Sequence, residues 1–317
     1  MAGTTIIIPE VVLNSSTGQR RMPIIGFGTA PEVASKVSTK DAVLEAIKQG
    51  YRAFDAASAY GVEPSVGEAI AEALQLGLVA SRDELFVTTK LWVIDNHPQL
   101  VVPALKESLR RLQLEYIDLF LIHWPIATKP GKVTYPIDQS EVVPFDMEGV
   151  WGSMEECQRL GLTKAIGVSN FSIKKLQKLL SFATIPPAVN QVEVNLAWQQ
   201  EKLREFCKEK GITITGFSPL RKGASWGSNI VMENDVLKEL AGTHGKTIAQ
   251  ICLRWIYEQG VAFVVKSYDK ERMKQNLEIF DWSLTEEDYK TISKIHQERL
   301  IKGPTRPLLN DLWDDEQ

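Results

Sequence analysis

One stretch of the sequence indicates the fold most directly: Ile117-Asp118-Leu119-Phe120-Leu121-Ile122-His123. It is apolar almost throughout, which is typical of a parallel strand buried on both faces. It ends on a polar side chain, His123. Two other runs have the same form, 53–55 ending on Asp55 and 85–90 ending on Lys90. These patterns predict buried parallel strands that carry polar groups at their carboxyl ends.

Strand-like runs of this kind alternate with helical periodicity along the whole chain. They lie at 24–28, 53–55, 85–90, 117–123, 165–168, 188–193, 213–217 and 261–265. Residues 11–13 and 21–23 flank a polar turn and predict a hairpin before the first of them. No change of composition separates the units. We therefore predict a single (β/α)8 TIM barrel over residues 1–317, rather than a doubly wound sheet with a second domain.

The helix boundaries follow from capping residues, glycines and prolines. We expect helices from about Thr39, as cap, to Gly50, from 63 to 76, from Pro98 or Pro103 to about 112, over 146–159, and after Asp269 as cap. Residues 125–144 show no periodicity, and a loop of that length in a compact domain is often functional. The tail from 303 either folds back over one face of the barrel or frays.

Composition excludes several classes of function. With 317 residues, 44% of them hydrophobic, the chain can bury a sizeable core. A net charge of -4 gives no basic face for nucleic acid. The apolar stretches are too short to span a membrane and no secretory signal is evident, so we expect a cytoplasmic protein. Cys157, Cys207 and Cys252 lack the spacing of a disulfide framework or a metal site.

Four residues in the first half could together reduce a carbonyl: Asp55, Tyr60, Lys90 and His123. A tyrosine could donate the proton, although its ordinary pKa near 10 is high for this task at neutral pH. The ammonium of Lys90 would stabilise the phenolate, and Asp55 would orient Lys90. His123 could stay neutral and hydrogen-bond the substrate oxygen. Taken singly, each residue has an ordinary structural explanation, so the functional interpretation depends on the set.

A hydride donor is needed as well, and the sequence predicts its site in the second half. The glycine pattern of a Rossmann fold is absent, because Pro31 follows Gly26-Phe27-Gly28 where a third glycine is needed. The segment from Lys266 to Arg272 instead joins the last strand to a helix start, an arrangement suited to an anion such as the 2′-phosphate of NADPH. The alternative is a solvated basic surface.

The ends of the fifth to seventh strands supply groups that suit a nicotinamide ring. Ser169, Asn170 and Gln191 offer hydroxyl and amide groups for its carboxamide, and Phe217 could stack on the ring. We expect the substrate pocket to be walled by Phe27, Trp92 and Trp124, because aromatic walls suit a flat ligand.

Over nearly its whole length the chain resembles the aldo-keto reductase family. The stretches that carry the resemblance are 50–57 with Glu63 and Gly67, 165–171, and Lys266-Ser267 with Arg272 and Asn276. The resemblance implies a barrel that binds NADPH without a Rossmann domain, and a catalytic tetrad at Asp55, Tyr60, Lys90 and His123. The cofactor contacts that it implies are Ser169, Asn170, Gln191, Phe217, Ser218, Leu220, Lys266, Ser267, Arg272, Gln275 and Asn276.

Within the family, 195–200, 221–225 and 303–307 are similar to plant reductases of specialised metabolism. This resemblance implies a monomer that reduces a polyketide intermediate of chalcone synthase, leading to a deoxychalcone, with transient association between the two enzymes as one arrangement. Two alternatives stay open: a reductase of an alkaloid or another plant ketone, and a non-catalytic protein that senses NADPH.

Overall fold

Eight parallel strands form a closed barrel in the computed structural model, which describes residues 7–13, 18–31, 35–221 and 230–314. The strands are β1 (Ile25–Gly28), β2 (Ala53–Asp55), β3 (Phe86–Leu91), β4 (Ile117–Ile122), β5 (Thr163–Ser169), β6 (Val189–Glu193), β7 (Thr213–Phe217) and β8 (Ala262–Val265). Each pairs with the next, and β8 pairs with β1 to close the barrel. The predicted (β/α)8 fold is confirmed.

Helices surround the barrel and connect its strands. They are α1 (Thr39–Lys48), α2 (Glu63–Gln75), α3 (Pro98–Leu112), α4 (Met147–Arg159), α5 (Ile173–Leu180), α6 (Glu201–Glu209), α7 (Asp235–His244), α8 (Ile248–Glu258), α9 (Lys270–Leu277) and α10 (Glu286–Ile292). None of the helices in the described ranges is long and apolar enough to cross a membrane.

The helix starts agree with the sequence in most cases. Pro98 is the first residue of α3, and Asp269 caps α9 by accepting a hydrogen bond from the backbone of Arg272. The predicted cap of α1 is wrong by one residue. Ser38 accepts the hydrogen bond from the Asp41 backbone, whereas the hydroxyl of Thr39 lies 2.8 Å from the hydroxyl of Tyr268. Thr39 was expected to cap the helix from local pattern alone, but its side chain makes a tertiary contact with Tyr268 instead.

The predicted hairpin is present at the amino-terminal end of the barrel. Strands Glu10–Leu13 and Arg20–Pro23 pair antiparallel, and part of the turn between them lies outside the described residues. The guanidinium of Arg20 bonds the carboxylate of Asp118 near the start of β4. The same carboxylate accepts hydrogen bonds from Arg82 and from the backbone of Val87, both at 2.8 Å. This buried charge cluster joins the hairpin to the strands of the barrel.

The loop and the tail meet at the opposite end of the barrel. Within the loop after β4, Ala127–Thr128 pairs antiparallel with Val142–Val143. Its middle strand, Ile137–Asp138, pairs in parallel with Thr305–Arg306 of the tail. The tail therefore folds back over one face rather than fraying, up to residue 314. Its last three residues, like the motif at 222–225, lie outside the described ranges.

Candidate active site

Lys90 and Asp55 form a buried ion pair inside the barrel mouth. Asp55 ends β2 and Lys90 lies near the end of β3, so barrel pairing brings them together. The ammonium of Lys90 lies 2.5 Å from Oδ1 of Asp55 and donates a second hydrogen bond to the carbonyl of Ala56 at 2.9 Å. Lys90 is 1% exposed and Asp55 5%. Two directed contacts between buried groups hold the ammonium in one position.

Tyr60 and His123 lie beside this pair. Tyr60 ends a single 3₁₀ turn, Ser58–Tyr60, that follows β2. The centre of its ring lies 5.0 Å from the ammonium of Lys90 and 5.6 Å from the ring centre of His123. The hydroxyl of Ser58 donates to the Lys90 carbonyl at 3.0 Å, which links the turn to β3. The structure thus brings together all four residues that the sequence proposed as a set.

Burial and charge set the protonation of these groups. Burial raises the pKa of Tyr60, and the nearby Lys90 acts in the opposite direction without offsetting it fully. The pKa of Lys90 is raised: burial alone would lower it, but the charge of Asp55 and the interactions with Asp55 and Tyr60 together outweigh burial. Burial, together with the Lys90 charge, holds the pKa of His123 well below 6.5. His123 is therefore neutral at physiological pH, which agrees with the prediction that a neutral His123 hydrogen-bonds the substrate oxygen.

The amide groups of the fifth and sixth strand ends reach the same place. Asn170, at φ 62°, donates from Nδ2 to the carbonyl of His123 at 2.9 Å. Gln191 donates from Nε2 to Oδ2 of Asp55 at 2.7 Å. The hydroxyl of Ser169 donates to the Gln191 carbonyl at 2.8 Å. These contacts form one connected hydrogen-bond network that includes the carboxylate of Asp55.

The basic segment follows β8, as the sequence indicated. Lys266 and Arg272 are exposed, while Ser267 and Asn276 are buried. The hydroxyl of Ser267 accepts a hydrogen bond from the backbone of Asp269 at 3.1 Å. Asp269 also lies 3.8 Å from the guanidinium of Arg272 and partly balances its charge. Gln275 is exposed one turn further along α9.

Comparison with known proteins identifies the family. The family model "Aldo/keto reductase family" matches residues 24–297. The chain belongs to the aldo/keto reductase family. The predicted membership and the assignment as an oxidoreductase enzyme are thereby confirmed.

Three relatives show the range of the similarity. The chain is 67% identical to the NAD(P)H-dependent 6'-deoxychalcone synthase of Glycine max, over 98% of both chains. It is 55% identical to deoxymugineic acid synthase 1-D of Triticum aestivum, over 93% of this chain and 96% of the relative. A crystal structure of a Bombyx mori aldo-keto reductase in complex with NADP matches with a TM-score of 0.82 and 37% identity, over 93% of this chain and 95% of that one.

Two tryptophans, Trp92 and Trp124, follow the carboxyl ends of β3 and β4. Trp92 packs edge-on to His123 with ring centres 5.1 Å apart, and Trp124 packs edge-on to Trp313 of the tail at 6.0 Å. Phe217 lies half-buried against the same apolar cluster as the two tryptophans. Of the two proposed wall residues, Trp92 thus contacts one of the four polar residues, His123, and Trp124 follows His123 directly in the chain.

The structure does not place Phe27 in this wall. Its side chain is fully buried and packs on Tyr51 and Phe54, at ring-centre distances of 5.7 and 6.2 Å, in the core around the barrel. The prediction of Phe27 as a pocket residue was wrong. Parallel barrel strands are apolar on both faces, so the sequence pattern did not show which way this ring points.

Ser218 and Leu220 follow β7 in a strained connection. Ser218 has φ 52°, and its carbonyl accepts a hydrogen bond from the backbone of Arg221 at 3.0 Å. Leu220 is half-buried against the main core. The residues after Arg221 lie outside the described ranges, so only this first part of the loop can be placed relative to the mouth.

Sequence reasoning missed two residues that structure the site. The hydroxyl of Thr29, directly after β1, donates to the carbonyl of Asp55 at 2.8 Å. Glu193, the last residue of β6, is 2% exposed and bonds the tail. Both stand at the carboxyl end of a strand, so the rule that selected Asp55 and Lys90 would have found them.

Proposed function

We propose that this reductase uses NADPH to reduce a carbonyl group, with Tyr60 as the proton donor. NADPH, when bound, supplies the hydride that reaches the carbonyl carbon. The hydroxyl of Tyr60 gives its proton to the developing alkoxide, and the Lys90 charge stabilises the phenolate that remains. Neutral His123 is suited to donate a hydrogen bond to the same oxygen. The observation that carries this proposal is the fixed Lys90 ammonium beside the Tyr60 ring.

The residues at the mouth fit a nicotinamide group. Oδ1 of Asn170 is buried and has no hydrogen-bond partner among the described residues, which is costly unless a ligand donates to it. A carboxamide NH2 group is such a donor. Ser169 and Gln191 offer further polar atoms beside it, and the half-buried ring of Phe217 offers a stacking face. Ser218 and Leu220 continue this side of the site.

The basic segment fits the phosphate end of NADPH. Lys266 and Arg272 are exposed cations on either side of the start of α9, where backbone N–H groups also favour an anion. Ser267, Gln275 and Asn276 add hydroxyl and amide groups on the same segment. NADPH carries a charged 2′-phosphate that NADH lacks, and Lys266 and Arg272 would bind this phosphate and so favour NADPH.

For the substrate, we propose a polyketide intermediate of chalcone synthase, which the reductase would convert on the route to a deoxychalcone. The support is the 67% identity with a 6'-deoxychalcone synthase over nearly the whole of both chains. The aromatic wall at Trp92 and Trp124 suits a flat phenolic ligand. We also propose that the reductase acts as a monomer and meets chalcone synthase only transiently.

A coupled reaction tests this function. Chalcone synthase, coumaroyl and malonyl thioesters and NADPH are incubated with and without the reductase, and the products are separated by chromatography. We expect a deoxychalcone only when the reductase is present. If only the ordinary chalcone-derived product forms while the reductase consumes NADPH with benzaldehyde, its substrate is another plant ketone. If it binds NADPH but reduces neither, it is a non-catalytic NADPH sensor.

A further inference from the structure

A buried carboxylate fastens the tail to the rim of the barrel. Glu193 ends β6, two residues beyond Gln191 on the same face of the strand. Its Oε2 accepts hydrogen bonds from the backbone N–H groups of Leu300 at 3.1 Å and Ile301 at 2.9 Å. Its Oε1 accepts from Nδ2 of Asn195 at 3.0 Å and from Leu300 at 3.3 Å. One side chain of the barrel thus accepts hydrogen bonds from two consecutive backbone N–H groups of the tail.

Both oxygens of Glu193 face donors only, so the site needs an ionised carboxylate. A protonated carboxyl would turn its O–H group, and a glutamine its NH2 group, towards a backbone N–H or the Asn195 amide. Two donors would then face each other without an acceptor. The guanidinium of Arg221 is 4% exposed and donates to the carbonyl of Glu298 at 2.7 Å, just before the bonded part of the tail. Burial raises the pKa of Glu193, and the hydrogen bonds from Ile301, Asn195 and Leu300 and the charge of Arg221 act in the opposite direction without offsetting it fully. Two buried charges therefore fix residues 298–301.

This anchored segment leads directly to the aromatic wall. Leu300 and Ile301 pack in the same apolar cluster as Trp124 and Phe217. From there the tail turns, and Nε1 of Trp313 donates to the carbonyl of Lys302 at 2.8 Å. The ring of Trp313 then packs on Trp124. The tail backbone at 300–302 thus contributes to the position of Trp313, as do the hydrogen bonds from Lys175 to the Leu312 carbonyl at 3.0 Å and to Asp314 at 2.6 Å.

We propose that Glu193 is a specificity-determining positioning residue: by holding the tail at Leu300 and Ile301 it sets the width of the pocket, and so the preference for broad aromatic carbonyl substrates. The proposal rests on the proposed carbonyl reduction. Glu193 acts through the tail, whereas Tyr60, Lys90 and His123 act on the reacting carbonyl.

The test compares Glu193→Gln with a matched control. Glu155 on α4 is also a buried carboxylate, and it accepts two backbone hydrogen bonds at 2.8 Å, from Thr184 and Ile185, away from the mouth. Glu155→Gln therefore makes the same chemical change elsewhere. Both variants and the wild type are assayed with NADPH and two aldehydes of different width, benzaldehyde and anthraldehyde.

For Glu193→Gln we expect the KM for anthraldehyde to rise roughly tenfold, because binding of the wide ring must then also order a tail that has lost its anchor. The KM for benzaldehyde and both kcat values should change much less, since the smaller ring reaches less of the wall. Glu155→Gln should leave the ratio of the two KM values as in the wild type. An equal loss with both aldehydes, or an equal change in both variants, would overturn the proposal.

Two further measurements keep the result interpretable. Glu193→Asp retains the charge and should restore part of the preference for anthraldehyde. Trp313→Ala removes the contact with Trp124 while Glu193 still holds the tail, and it should raise the KM for anthraldehyde as Glu193→Gln does. If Trp313→Ala leaves the preference unchanged, the proposal is wrong even where Glu193→Gln fails to fold. If the wild type reduces neither aldehyde and also gives no deoxychalcone in the coupled reaction, the proposed function is refuted instead.

Discussion

Lys90 and Asp55 stand 2.5 Å apart in a buried part of the barrel, and within the described ranges neither forms a second ion pair. Such a pair has a large desolvation cost, which the contact between its members and further hydrogen bonds to both groups offset. Gln191 stabilises the second oxygen of Asp55 from the far side of the barrel. The position of the ammonium beside Tyr60 is therefore determined by three strands at once.

We expect Asp55→Asn to lower the free energy of unfolding by about 3–5 kcal/mol, because it leaves the buried Lys90 charge uncompensated. Carbonyl reduction should fall as well, since the ammonium loses its fixed position. Urea unfolding measures the first effect and NADPH oxidation the second. The double variant Asp55→Asn/Lys90→Met removes both charges and should recover much of the stability. A double variant as unstable as the single one would contradict this account of the pair.

Tyr60→Phe should reduce the rate of carbonyl reduction by about 10²–10⁴, the usual contribution of a positioned proton donor. Cofactor binding should change little, because Tyr60 is not among the residues proposed to hold it. NADPH oxidation with benzaldehyde gives the rate, and quenching of tryptophan fluorescence gives binding. Tyr135, 57% exposed on the loop after β4, provides the control Tyr135→Phe. Turnover near the wild-type value in Tyr60→Phe would remove Tyr60 as the donor.

The low pKa of His123 predicts a pH-dependent stability. The unfolded chain binds a proton near pH 6.5 and the folded site does not, because His123 is buried near Lys90. Above pH 6.5 His123 is neutral in both states and costs no stability. As the pH falls from 6.5 towards the pKa of folded His123, the free energy of unfolding decreases by about 1.4 kcal/mol per pH unit. His123→Asn should therefore lose less stability than the wild type between pH 7 and 5, as urea unfolding would show. Parallel curves for both proteins would mean that His123 titrates normally in the folded state.

Neutralising Lys266 or Arg272 should weaken NADPH binding by about 10- to 100-fold each and leave NADH binding nearly unchanged, since a lost charge-assisted hydrogen bond is worth about 1.5–3 kcal/mol. Fluorescence titration with both nucleotides measures this. Lys274→Ala is the control, because Lys274 is an exposed cation on the same helix that lies 4.0 Å from Glu278. Equal losses for both nucleotides would argue against a 2′-phosphate site here.

Gly167→Ala should lower the free energy of unfolding by about 1–3 kcal/mol, the cost of overpacking a core. A Cβ atom at Gly167 in β5 would lie 2.5 Å from the Val189 carbonyl and 2.8 Å from Leu121. Gly152→Ala on α4 meets nothing within 4 Å, and it should raise stability by about 0.5–1 kcal/mol through helix propensity. Thermal unfolding of the two variants should therefore shift in opposite directions.

The order of strands and helices could be predicted because it depends on local pattern. Buried parallel strands are short apolar runs, and the helix starts at Pro98 and Asp269 have residues suited to those positions. The strand-end rule also found Asp55, Lys90 and His123, since the carboxyl ends of barrel strands meet on one face. Phe27 was misplaced because such a strand has apolar residues on both faces.

The sequence by itself determined which chemical groups stand at the mouth of the barrel. Only the tertiary structure decided how they are connected. The hydrogen bond from Gln191 to Asp55 joins residues 136 positions apart, and that from Ile301 to Glu193 joins residues 108 apart. Local propensity carries no signal for such pairs, because they form only when the strands close into a barrel and the tail returns across it. The net effect on the Tyr60 pKa depends on the same closure, since burial, which only packing creates, outweighs the charge of Lys90.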